Sequence, residues 1–162
     1  MRNILEQLER GLTALVAVGM ILLFGVILLA VFFRYVLSLP LTWSEETVQM
    51  LSIWMVLLGA AVAVGRSEHL RVDVLDRYLA RWSARSKAPL QLLLILCEAL
   101  FAWSLLVGGW FMAQDRWDVP QTTIPLNQGW VYIAAPVAAG VMLVFLFVQA
   151  WDQVKLMFGH RG

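Results

Sequence analysis

Residues 11–33 read GLTALVAVGMILLFGVILLAVFF, a run of twenty-three positions without a charge. A helix rising 1.5 Å per residue needs about 20 such residues to cross the hydrocarbon core of a bilayer. The run is too long for the core of a signal peptide, and no small-residue cleavage site follows it, so it reads as a retained span. Three further runs lie at 47–65, 89–113 and 129–151, and Glu98 is the one charged residue that interrupts the third. Unbroken runs of this length specify helices, because a membrane barrel shows short segments of alternating polarity. The expected fold is an all-α integral membrane protein, a single membrane domain over 1–162 with four transmembrane helices at about 11–33, 47–65, 89–113 and 129–151.

Composition agrees. Of 162 residues, 61% are hydrophobic and 14% charged, and the mean hydropathy is +0.77. A soluble domain of this size has too little interior to hide that much apolar surface. A net charge of +1 gives no global field for nucleic acid. The single cysteine, Cys97, rules out an internal disulfide framework or thiolate cage, and inside an apolar run it reads as an inert thiol.

The limits of the spans carry helix punctuation. Pro40 closes the first hairpin, and Thr42-Trp43-Ser44-Glu45 fits a capping box in which Thr42 accepts from a free amide and Glu45 reaches back. Pro89 suits a first helical turn, Asn127 suits the cap of the fourth helix, and Pro136 should kink that helix.

Orientation follows from Lys and Arg outside the spans. Ten of the twelve fall in the two tails and in the loop between the second and third spans; Arg34 and Arg116 alone lie on the other side. Both termini are therefore expected in the cytoplasm, with the chain in a bacterial or archaeal cytoplasmic (inner) membrane. Trp43, Trp110, Trp117, Trp130 and Trp151 sit near span ends, as interfacial anchors do. In 73–87, Leu75, Tyr78, Leu79 and Trp82 recur at helical spacing, while Asp73, Arg77, Arg81 and Arg85 form an i, i+4 ladder on another face. This predicts an amphipathic interfacial helix between helices two and three, with Arg77, Arg81 and Arg85 turned to anionic lipid head groups. A solvated helical connector is the plain alternative.

Little in the chain can carry chemistry. The two histidines, His69 and His160, lie outside the spans, which argues against a transmembrane haem protein. No phosphate loop, metal-ligand cluster or nucleophile–base pair stands out, so no enzyme and no cofactor are expected. Glu98 is the exception, since a carboxylate within a span is costly and is a candidate for ion coupling by default. It lies roughly 15 Å along the helix from Pro89, near the middle of the bilayer. A partnered, structural Glu98 facing another helix is the competing reading. Gly59, Ala60, Ala61, Ala63 and Gly65 make a small-residue end to the second span, and Gly108 and Gly109 do the same in the third, as close helix packing requires. Arg34, Glu45 and Glu46 bracket the first hairpin, where they could pair with one another, and the glutamates also suit a helix N-terminus.

These residues also resemble a family. FRYVLSLPLTWSEE at 33–46, GAAVAVGRSEHLRVDVL at 59–75 and IPLNQGWVYIAAP at 124–136 are similar to the small membrane (DctQ-like) subunit of tripartite ATP-independent periplasmic (TRAP) transporters. The residues that carry the resemblance are Arg34, Tyr35, Trp43, Glu45, Glu46, Gly59, Ala60, Ala61, His69 and Asp73, and span count and length fit over the whole chain. The resemblance implies fold or subunit-interface roles for them and no substrate site. It implies a scaffold that pairs with a large elevator-type membrane subunit, in a sodium-coupled system importing a carboxylate-type solute delivered by a periplasmic binding protein. Two other readings stay open: a small homodimeric exporter coupled to protons through Glu98, and a structural subunit of an unrelated membrane complex.

Overall fold

The computed structural model describes the backbone of residues 2–78 and 84–158, and the side chains of 7–66, 93–151 and 154. The helices in chain order are α1 (Arg2–Tyr35), α2 (Thr42–Tyr78), α3 (Ala84–Asp115), α4 (Gly129–Tyr132) and α5 (Ala134–Phe158). Four stretches are long and apolar enough to cross a membrane: Gln7–Tyr35, Thr42–Arg66, Leu93–Asp115 and Gly129–Trp151. The all-α membrane fold expected from the sequence is the fold observed. Among the described residues, extended pairing is confined to one isolated bridge, Pro120 with Asn127.

The first hairpin turns on Ser38, whose φ of 53° places a non-glycine residue in the left-handed region. The amide of Leu39 donates to Phe33 O at 3.1 Å, tying the turn to the last turn of α1. The capping box expected at Thr42 does not form. Thr42 is already the first residue of α2, and the orphan donors turn to a backbone acceptor instead: Ser44 N and Ser44 Oγ both donate to Leu41 O, at 3.2 and 2.7 Å. Asn127 likewise does not cap with its side chain; Gln128 holds the cap position, without a side-chain bond, and Asn127 contributes its carbonyl to Trp130 N.

Pro136 acts more strongly than a kink. It has no N–H for the carbonyl of Tyr132, and its ring crowds that carbonyl. The fourth span accordingly divides at Ile133 into α4 and α5, with bonds Ile133 N to Gly129 O and Val137 N to Ile133 O flanking the break. By contrast, α2 runs on past its apolar stretch without interruption, since residues 66–84 hold neither Gly nor Pro. Residues 73–78 thus continue α2 and 84–87 open α3 rather than forming a helix of their own, and 79–83 lie outside the described residues.

α5 is the central helix, packed on α2, α3 and α4, whereas α1 packs chiefly on α2. Lipid tails are as apolar as leucine, so apolar helix faces gain from contact chiefly by van der Waals fit, and small side chains permit the closest approach. Ala61, Ala134, Ala138 and Ala139 are fully buried for this reason. One core cluster joins Ala61 to Ile95, Ala102, Met142 and Leu146; another joins Met55, Leu58 and Ala138, with Leu12 and Val16 of α1 against it. At Gly109 a Cβ would stand 2.7 Å from Ala135 Cβ and 2.8 Å from Pro136 Cδ, so α3 meets the start of α5 there with no room for a side chain.

Candidate functional site

The most organised polar site lies at the end of the bundle where α1 hands over to α2. Glu46, in the first turns of α2, points away from its own helix and toward the α3–α4 connection. Its carboxylate accepts from Thr122 N at 2.9 Å, Thr123 N at 2.9 Å, Thr123 Oγ1 at 2.6 Å and Ile124 N at 3.0 Å. A carboxylate only accepts, so four donors converge on it without conflict. The connection is also held by itself: Gln121 N donates to Leu126 O at 3.0 Å, Gln128 N to Val119 O at 2.8 Å and Gly129 N to Arg116 O at 3.0 Å. Beneath it the rings of Trp117 and Trp130 pack 5.9 Å apart. Gly129 makes this possible, because a Cβ there would lie 2.7 Å from Trp117 Cε3 and 2.9 Å from its Cα. Trp54 Nε1 then donates to Trp130 O at 3.0 Å and fastens α4 to α2.

At the opposite end, Arg66 Nε meets Glu9 Oε1 at 2.8 Å and Arg66 Nη2 donates to Thr13 Oγ1 at 3.0 Å, tying α2 to α1. Gln149, buried on α5, donates through Nε2 to Val64 O at 2.9 Å. Between the two ends, a groove of about 440 Å³ runs between α2, α3 and α4, walled by apolar side chains such as Leu57, Phe101, Leu105 and Met112. Among the described residues no three His, Cys, Asp or Glu come together to hold a metal ion.

The residues singled out in the sequence are dispersed by the fold. Arg34, Tyr35, Trp43 and Glu45 are exposed around the first hairpin, and Arg34 and Glu45 form no ion pair. Glu46 alone among the hairpin charges has a specific target. The small-residue stretch divides: Ala61 enters the core, a Cβ at Gly59 would stand 4.0 Å from Val16 Cγ1, and Ala60 faces outward. Glu98 is half-buried on α3. The side chains of His69, Asp73, Arg77 and Arg85 lie outside the described residues, as does Arg81 altogether.

Five residues of these contacts were not anticipated. Thr122 and Thr123 lie between Pro120 and Pro125, and a polar pair between two prolines is a visible mark of an ordered turn. Gln149 is the one amide side chain inside the fourth apolar run. Glu9 stands just before the first run and Arg66 just after the second, which puts them at one level in an antiparallel pair.

Residues 23–156 match the family described as tripartite ATP-independent periplasmic transporters, DctQ component. The chain belongs to this family. As a DctQ component it is a multi-pass membrane protein and part of a transporter, not an enzyme. It is similar to the sialic acid TRAP transporter small permease protein SiaQ of Vibrio cholerae, 28% identical over 162 residues that cover 98% of this chain and 88% of SiaQ. It is 27% identical to the C4-dicarboxylate TRAP transporter small permease protein DctQ of the same organism, covering 82% of this chain and 68% of the relative. The sialic acid TRAP transporter permease protein SiaT of Haemophilus influenzae is 29% identical over 131 residues, 80% of this DctQ component but only 20% of SiaT. The chain thus spans about a fifth of that relative's length.

Proposed function

We propose that this chain is the small scaffold subunit of a sodium-coupled TRAP transporter that imports a carboxylate-type solute. In this reading it pairs with a large elevator-type membrane subunit, meets a periplasmic binding protein transiently, and binds no solute itself. It lies in the inner membrane with both termini in the cytoplasm, as the distribution of Lys and Arg favours. The observation that carries the proposal is the match to SiaT, a far longer permease of which one fifth resembles this chain. Fusion of a segment of this kind to a longer permease makes sense when the two parts work as one body. The apolar walls of the α2–α3–α4 groove agree, since they offer a solute carboxylate no cationic partner.

The test is co-purification in mild detergent, followed by reconstitution into vesicles with the binding protein and a sodium gradient. A large multi-span protein is expected at equal amount, and uptake should vanish when this chain is omitted. Recovery of this chain alone as a stable homodimer would remove the proposal. Glu98→Gln separates it from the proton-coupled exporter: uptake by the scaffold system should stay largely intact, whereas an exporter would lose its coupling.

A further inference from the structure

Three consecutive amides and one hydroxyl converge on a single carboxylate at residues 122–124. Successive N–H groups that line one concavity make an anion-binding nest. Here the anion arrives from α2, 76 to 78 positions away in the chain. The nest owes its shape to other contacts. The bonds Gln121 N to Leu126 O, Gln128 N to Val119 O and Leu126 N to Ile124 O close the turn, and none of them involves Glu46. Thr122 and Thr123 are exposed, so the concavity is open to small molecules in solution.

We propose that residues 122–124 form a carboxylate-binding site whose resident ligand is the chain's own Glu46, and which takes a small free carboxylate once that side chain is shortened. Tethering explains why the intact chain needs no added ligand: a group held on α2 a few ångströms away has a far higher effective concentration than a solute in water. It also predicts the ligand class. Glu46→Ala removes Cγ and the carboxylate, a fragment with the carbon count and planar oxygens of acetate. The exchangeable anion is therefore a short monocarboxylate, bound through both oxygens by N–H and O–H donors.

The experiment is amide hydrogen exchange on the full chain in detergent, with acetate titrated against chloride at constant ionic strength. In the unaltered protein the amides of Thr122, Thr123 and Ile124 should exchange slowly, and acetate should change nothing. In Glu46→Ala these three should exchange about tenfold faster, while Gln121 and Gln128 keep their protection. Acetate, and not chloride, should restore protection in proportion to its concentration. Glu46→Gln provides the second variant. It fills the space but turns an NH2 toward a donor, so protection at the nest should fall and acetate should not recover it. The proposal is overturned if acetate leaves the Glu46→Ala nest unprotected, or if either variant exchanges like the unaltered chain. Loss of protection at Gln121 and Gln128 in Glu46→Ala overturns it equally, because the nest would then depend on its ligand for its shape.

Discussion

α1 and the α4–α5 span share a charge-free apolar core, yet the fold uses them in opposite ways. Of the most apolar stretch of each, 11% is buried within the chain in α1 and 39% in α4–α5. Ile21, Leu22 and Phe24 of α1 are more than half exposed, whereas Ala134, Ala138, Ala139 and Met142 of α5 are inside. Apolarity reports that both helices belong in lipid. Side-chain size decides which becomes the hub, because neighbours close in on alanine and glycine and are held off by leucine and phenylalanine.

The comparison is broken most directly by enlarging small residues on each helix. Ala138→Leu should cost about 1–3 kcal/mol, since the added Cγ and two Cδ atoms cannot be fitted between α2 and α5 without displacing them. Ala17→Leu on the exposed side of α1 should stay within about 0.5 kcal/mol of the parent. Denaturant titration in detergent micelles, followed by tryptophan fluorescence, measures both, and equal losses would end the distinction. A smaller effect sharpens the polar side of the same contrast. Gln149→Leu keeps the volume but deletes the bond from α5 to Val64 O, for a loss of roughly 0.6 kcal/mol, typical of such bonds within membranes. Smallest of all, Arg66→Ala removes the polar tie of α1, and its half-exposed ion pair should contribute under about 0.5 kcal/mol and fade as salt is added.

The spans were legible because runs of about twenty apolar residues, broken by a charge only at Glu98, admit few other structures, and the fourth one begins and ends where its composition changes. Pro136 was legible in kind but not in degree, since its missing donor acts one turn earlier, at Tyr132 and Ile133. The caps at Thr42 and Asn127 failed for a common reason. A side-chain acceptor competes with nearby carbonyls, and here Leu41 O and Asn127 O take the part. The target of Glu46 was hidden by distance, because local pattern cannot say which loop seventy-six residues downstream folds back over a helix start. The centrality of α5 was hidden because hydropathy does not distinguish contact with lipid from contact with protein.

Measured as a ruler, α2 has 37 residues, about 55 Å at 1.5 Å per residue. A bilayer's hydrocarbon layer is roughly 30 Å thick. The level at which Arg66 meets Glu9 marks where α1 and α2 leave the apolar layer together. Beyond it α2 continues to Tyr78, a further 18 Å or so along its axis. The head-group layer takes up about 5–7 Å of that length, so an upright α2 ends about 11 Å past the head groups, a little over one Debye length in physiological salt. α3 likewise starts at Ala84, nine residues before its apolar stretch opens at Leu93, so on the Arg66 side both helices are built two to three turns longer than crossing the apolar layer requires.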